Sequence, residues 1–163
     1  MKIAIRYHSR TGNTKKLADA IGSAVNVRAE TTDIPLSEPI DILFLCSAVY
    51  AAGVDNKIKD FISSLDASKV KNVVNISTAA ILPSTYSQVA KLLEAKRIHL
   101  DSREFHCRGK FTLMHSGRPN TKDLDDVKAF AQSIVGDPQR TYFFTHSYCA
   151  QLNRAKYILE ECK

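Results

Sequence analysis

Short apolar runs with strand character alternate with stripes of helical spacing over residues 1 to 135, and that alternation leaves few folds open. Ile3, Ile5 and Tyr7 alternate with Ala4 and Arg6, a polar turn containing Gly12 follows, and Leu17, Ile21 and Val25 then recur at helical spacing. Val27 to Thr32 reads as a short second strand, closed off by the proline-punctuated connection Ile34 to Pro39. Ile42 to Cys46 is apolar at every position, as a parallel strand covered by helices on both faces must be. Ile58, Phe61, Ile62 and Leu65 then form a helical stripe, and Val70 to Ser77 a fourth strand. Pro83 can open a helix carrying Val89, Leu92 and Leu93. Arg103 to Cys107 gives a fifth strand, and Leu124, Val127, Ala131 and Ile134 a last helix.

Strands separated by helices pair in parallel, because each crossover must return to the same end of the sheet, and it does so right-handedly. The chain is therefore expected to be an α/β protein with helices on both faces of a parallel sheet and a ligand site at the carboxyl ends of the strands. Gly136-Asp137-Pro138 breaks the last helix, so the domain is expected over residues 1–136. Residues 137–163 form a C-terminal extension in which Leu152, Ala155, Ile158, Leu159 and Cys162 make one helical stripe. That stripe is expected to cover an apolar surface of the domain or of a second copy, as in a homodimer.

Composition narrows the function classes. A chain of 163 residues suits one domain, and its 44% hydrophobic and 25% charged residues are those of a packed globular protein. Lys2 and Arg6 interrupt the first apolar stretch before it could act as a signal-peptide core or cross a bilayer, which predicts a cytoplasmic protein without membrane attachment. Cys46, Cys107, Cys149 and Cys162 form no Cys-x-x-Cys pair, so neither a zinc site nor a dithiol motif is signalled, and free thiols are expected. His99, His106 and His115 lack metal-ligand spacing, and no metal is predicted. The net charge of +6 is spread among acids without a basic block, which argues against nucleic acid. Acids crowd the first half of the chain and bases residues 96 to 118, an asymmetry that bears on the choice of partner.

Between the first strand and the first helix stands Ser9-Arg10-Thr11-Gly12-Asn13-Thr14. Three hydroxyls and a glycine at a helix N-terminus make an anion site, because the first-turn N–H groups have no intrahelical acceptor. Short neutral donors of this kind fit the oxygens of a phosphomonoester. The plainer alternative is a polar turn in which Asn13 or Thr14 caps the helix. Two other nucleotide loops are excluded, since neither Gly-x-x-x-x-Gly-Lys-Ser/Thr nor Gly-x-Gly-x-x-Gly occurs.

At every specified position Ser9 to Thr14 resembles the phosphate loop of the flavodoxin family, Thr/Ser-x-Thr-Gly-x-Thr. The resemblance implies a flavodoxin-like three-layer sandwich with a five-stranded parallel sheet in the order 2-1-3-4-5. It also implies flavin mononucleotide (FMN) as cofactor, with its phosphate on Ser9, Arg10, Thr11, Gly12, Asn13 and Thr14. Two further loops would flank the flavin ring. The first runs after the third strand and supplies Ala48, Val49, Tyr50, Ala51, Ala52 and Gly53, with Tyr50 stacking on the ring and Gly53 permitting close backbone approach. The second follows the fourth strand and supplies Ser77, Thr78, Ala79 and Ala80, the two hydroxyls addressing the pyrimidine edge or the ribityl chain. That loop lacks an aromatic, Tyr86 falling on the next helix, so Ile81 or a partner would meet one ring face. Carrier flavodoxins are usually acidic whereas this chain is basic, and the segment from Phe105 to Asn120 resembles a variant found in short members of the family.

The remaining side chains carry plainer expectations. His8 and Cys46 are read as a hydrogen-bonded histidine at a strand end and a buried structural thiol. Arg10 either supplements the phosphate site or points outward. Arg6, a cation inside a central strand, requires an Asp or Glu partner. Three functions stay open: electron transfer to a redox partner protein, FMN-dependent reduction of a quinone or other small acceptor by NAD(P)H, and phosphate binding without flavin. No residue is assigned a catalytic role.

Overall fold

In the computed structural model residues 1–50, 53–79, 84–109 and 117–136 are described, Tyr50 by its backbone alone. The continuous apolar run at the centre of the sequence becomes the strand around which the rest is laid. Ile42 to Cys46 are all fully buried, alternate side chains entering opposite layers. The elements in chain order are β1 (Ile3–Tyr7), α1 (Asn13–Val25), β2 (Ala29–Thr31), β3 (Ile42–Tyr50), β4 (Gly53–Val54), α2 (Asn56–Ser64), β5 (Val73–Ala79), α3 (Tyr86–Ala95), β6 (Leu100–Arg108) and α4 (Thr121–Val135). The sheet runs β2-β1-β3-β5-β6 with every neighbouring pair parallel. The expected order 2-1-3-4-5 is the order of these five parallel strands, and β4 is an addition that pairs antiparallel with β3.

On one side of β3, Leu43 and Leu45 pack with Val73, with Ile58, Phe61 and Ile62 of α2, and with Val89 and Leu93 of α3. Leu17 and Ile21 of α1 are fully buried, and this helix lies on β1 and β3. It ends close to the chain that follows: a Cβ on Gly22 would stand 2.6 Å from the carbonyl oxygen of Val27, so only glycine lets α1 pack this tightly before β2. Arg6 is 6% exposed and finds the acid it needs across the ladder, where its register partner Glu30 accepts from the guanidinium at 2.8 Å. The guanidinium also donates to the carbonyls of Ile34 and Pro35, at 2.9 and 3.2 Å, and so fixes the connection between β2 and β3.

The strand ends correct the loop boundaries. The expected loop from Ser47 to Gly53 is largely strand: β3 continues to Tyr50, and the register pairs Val49 with Val54 and Tyr50 with Gly53. Ala48 and Val49 are therefore strand residues, and Ala48 is buried. Ser77, Thr78 and Ala79 likewise form the end of β5, because Ser77 and Thr78 pair with Ser47 and Ala48 on one side and with His106 and Cys107 on the other. Backbone pairing from both neighbours extends β5 past the point where its sequence turns polar. β6 also begins earlier than expected, at Leu100, with a register irregularity beside Val73 and Asn75. Ala51, Ala52, Ala80 and Ile81 lie outside the described residues, as does the Tyr50 side chain. Contacts divide the chain into residues 1–131 and 132–163; residues 132–136 finish α4, and the expected extension from residue 137 lies outside the described residues. Among the described residues no helix is long and apolar enough to cross a membrane.

Candidate functional site

The segment from His8 to Thr14 leaves the carboxyl end of β1 and turns directly into α1. His8 N–H donates to the Cys46 carbonyl at 3.2 Å, holding the start of the turn against β3. Gly12 takes φ +83°, a left-handed conformation that favours glycine, and a Cβ there would meet nothing within 4 Å. Gly12 is the N-cap of α1 and no side chain caps the helix, so Asn13 and Thr14 sit inside the first turn instead of capping it. The Ser9 hydroxyl is buried and has no hydrogen-bond partner. Thr14 is turned inward, its hydroxyl 3.0 Å from that of Thr78. A Cβ on Gly109 would lie 3.3 Å from Cβ of Thr78 and 3.7 Å from Nδ2 of Asn13, so the ends of β5 and β6 close on the same turn. The arrangement is an uncapped helix N-terminus, a glycine opening onto free space and a buried hydroxyl lacking its partner, which together suit an anion.

Asp55 was not among the residues the sequence singled out for the site. It caps α2, accepting from Lys57 N–H at 2.9 Å, and its side chain is only 2% exposed. Its carboxylate stands 2.5 Å from Nη2 of Arg10 and 3.5 Å from Nε2 of His8. Burial alone would push this carboxyl up, but the Lys57 N–H, His8 and the Arg10 guanidinium together hold it below its ordinary value of 3.8. A depressed folded-state value means that the stabilisation is complete above about 3.9, the unfolded carboxyl's value. It is lost as the pH falls through the lower folded value. Asp55→Asn, which keeps the cap and removes the titration, is expected to flatten that acid limb in a series of urea melts from pH 6 to pH 2, whereas an unaltered limb would exclude Asp55 as its source.

A second group of polar side chains bridges β3, β5, β6 and the start of α3. Asn75 Nδ2 donates to Glu104 at 2.8 Å, Ser84 donates to the same carboxylate oxygen, and Thr85 donates to Asn75 Oδ1 at 3.0 Å. Ser47 lies 2.9 Å from Thr85, and Ser77 3.0 Å from Nδ1 of His106. Ser47, Asn75, Ser77 and Thr85 are all fully buried. Burial lowers the His106 pKa, Glu104 raising it and Arg108 lowering it further. The Ser77 and Thr78 hydroxyls, expected to face a ligand, are bonded within the protein to His106 and Thr14. Alternate polar positions in an otherwise apolar strand, Asn75 and Ser77, were the available signal for this network.

The two cysteines among the described residues, Cys46 and Cys107, are both buried. Cys46 is fully buried, which pushes its thiol far up, and burial raises Cys107 to about 12, so both stay protonated and inert. Among the described residues no group of His, Cys, Asp and Glu could hold a metal ion.

Comparison with known proteins agrees with the fold. A flavodoxin from the domain Archaea superposes with a TM-score of 0.64 at 19% identity, over 82% of this chain and 96% of that one. Oxidised flavodoxin 2 from Bacillus cereus gives 0.62 at 16% identity, over 83% and 99%. Rubredoxin oxygen:oxidoreductase from Desulfovibrio gigas gives 0.64 at 13% identity over 82% of this chain, which corresponds to 35% of that longer protein. No curated protein matches in sequence. The flavodoxin-domain family model matches residues 4–114, a span that runs from β1 to the segment after β6 and contains the Ser9–Thr14 turn, Asp55 and the polar network; the chain belongs to the flavodoxin family.

Proposed function

We propose that this protein binds FMN at the carboxyl rim of β1, β3 and β5 and passes electrons to a redox partner protein. The observation that carries the reading is the uncapped start of α1 behind Gly12, with the buried, unpartnered Ser9 hydroxyl beside it. A phosphate would supply the acceptor these donors lack. Ser9, Thr11 and the first-turn N–H groups of α1 would hold it, Gly12 would let the backbone approach it, and Thr14 would brace the turn through Thr78. Ala48, Val49, Tyr50, Ala51, Ala52 and Gly53, together with Ala79 and Ala80, are proposed to bound the ring. When bound, the flavin supplies the one- and two-electron chemistry; the protein orients it, excludes water and sets the charge around it.

The reading is tested by titrating the flavin-free protein with FMN, FAD and riboflavin. Each charge-assisted hydrogen bond is worth about 1.5 to 3 kcal/mol, so two of them predict FMN binding at least about 100-fold tighter than riboflavin. FAD, whose phosphates are internal to a dinucleotide, is expected to bind more weakly than FMN. Riboflavin binding as tightly as FMN would remove the phosphate from this turn, and no uptake of any flavin would leave an anion-binding module.

A further inference from the structure

We propose that the carboxyl rim of the sheet is a docking surface for an acidic partner protein. The inference rests on the FMN reading for the electrons that partner would take, and deepens it by naming the partner's charge.

In a parallel sheet each crossover helix starts at the carboxyl end of the strand before it, so the first turns of α1, α2, α3 and α4 gather at one rim. Arg10 lies in the turn after β1, Lys15 and Lys16 in the first turn of α1, Lys57 in that of α2, and Arg118 and Lys122 on either side of the start of α4. After burial, the main influences on the Cys107 thiol are Asp123 and Arg118, which sets both beside the end of β6. The acids among these turns are Asp33, Asp55 and Asp123. Segments 51–52, 80–83 and 110–116, which join the elements in sequence, contain no acid.

Which member of each ion pair faces water decides the character of the surface. Asp55 is 2% exposed and its partner Arg10 59%, while Asp123 is 8% exposed and its partner Arg118 42%. In both pairs the carboxylate lies inside and the guanidinium outside, so a molecule at contact distance meets the cations first. Lys57 and Lys122 reach exposed acids, Asp33 at 3.2 Å and Asp126 at 2.6 Å. Exposed pairs of that kind are worth little to the fold and exchange readily with a competing carboxylate. At the amino ends of the strands the pattern is different, since the Lys2–Glu38 pair exposes both members alike. The rim cations are spread over separate elements and interrupted by Asp33 instead of following one helix or groove, which suits the discrete carboxylates of a protein better than a continuous phosphate backbone.

Isothermal titration calorimetry of the full FMN-loaded chain tests the surface, with a plant-type ferredoxin as an acidic redox protein and cytochrome c as a basic one. Ferredoxin is expected to bind, and to bind at least about tenfold more weakly when salt rises from about 20 to about 200 mM, as the screening length falls from roughly 20 to roughly 7 Å. Lys57→Glu and Lys122→Glu are each expected to weaken it at least about fivefold at the lower salt. Both place an acid in the first turn of a helix, where the macrodipole favours it, so the variants remain folded. Arg28→Glu makes the same change in net charge just before β2, at the other end of the sheet, and is expected to leave binding within about twofold. Equal weakening by all three would reflect net charge alone and would overturn docking at the rim. No ferredoxin binding at the lower salt, cytochrome c binding as tightly as ferredoxin, or duplex DNA binding more tightly than either would overturn the acidic protein partner. The flavin-free chain carries the same cations, so a chain that takes up no FMN but keeps rim-dependent ferredoxin binding would support the docking surface while removing the FMN reading.

Discussion

Replacing Arg6 by methionine is expected to cost about 3 kcal/mol of folding free energy, the lower end of what breaking a buried ion pair costs. Methionine fits the volume and adds apolar burial, which by itself favours the variant by about 1 to 2 kcal/mol. The opposing effects are larger. Glu30 loses the cation that its register in β2 places opposite it, and the Ile34 and Pro35 carbonyls lose their donors. Glu30 retains 33% exposure, so water recovers part of its solvation, which is why the expected cost sits low in the range. Burial pulls the Arg6 pKa down while Glu30 pushes it up, yet an arginine stays charged at any pH the fold survives, so the loss should be independent of pH between 6 and 9. Urea denaturation with an unchanged m-value is the measurement. A loss under about 1 kcal/mol would show that the connection from Ile34 to Pro35 rehydrates freely and that Arg6 is replaceable packing.

The layered architecture was legible because it depends on local periodicity. Ile42 to Cys46 announced a strand covered on both faces, and Leu17 with Ile21 announced the buried stripe of α1. The Ser9–Thr14 turn was legible for a different reason: its residues are contiguous, and short hydroxyls with a glycine at a strand-to-helix junction have few other uses. What escaped the sequence depends on partners distant in the chain. Val49 and Tyr50 read as loop because small residues surround them, and only their pairing with Val54 and Gly53 makes them strand. Asp55 stands before Asn56-Lys57-Ile58 as an ordinary helix cap, and nothing local says that its carboxylate also receives Arg10 and His8. The resemblance directed the Ser77 hydroxyl toward a ligand, and only the register of β6 shows that His106 also stands opposite it, 3.0 Å away. Asn75 looked like an interruption of an apolar strand until the same register set Glu104 beside it.

Glu104→Leu is expected to lose about 2 kcal/mol, and a second substitution, Asn75→Leu, is expected to restore most of it. The single change orphans the Nδ2 of a fully buried Asn75 and removes the acceptor of Ser84. Each unmade bond costs about 1 to 3 kcal/mol, and the apolar gain of one leucine offsets only part of that sum. With Asn75 also replaced, the buried amide is gone. Thr85 keeps Ser47 at 2.9 Å, and Ser84 keeps the Tyr86 N–H that it accepts at the start of α3, also at 2.9 Å. Removing both partners of a buried polar pair is nearly neutral where removing one is costly, so the double variant should fall within about 0.5 kcal/mol of wild type. If so, stability does not explain why polar groups occupy this part of the core, and their position does: they tie the start of α3 to the middle of β5 and β6, below the rim where the proposed flavin would lie. The double variant is then expected to unfold like wild type while binding FMN and riboflavin more weakly by the same factor, since the phosphate turn is untouched. Unimpaired binding of both flavins by a stable double variant would make the network a packing solution with no part in the site. A double variant less stable than Glu104→Leu alone would show that Asn75 serves the core in some way other than its bond to Glu104.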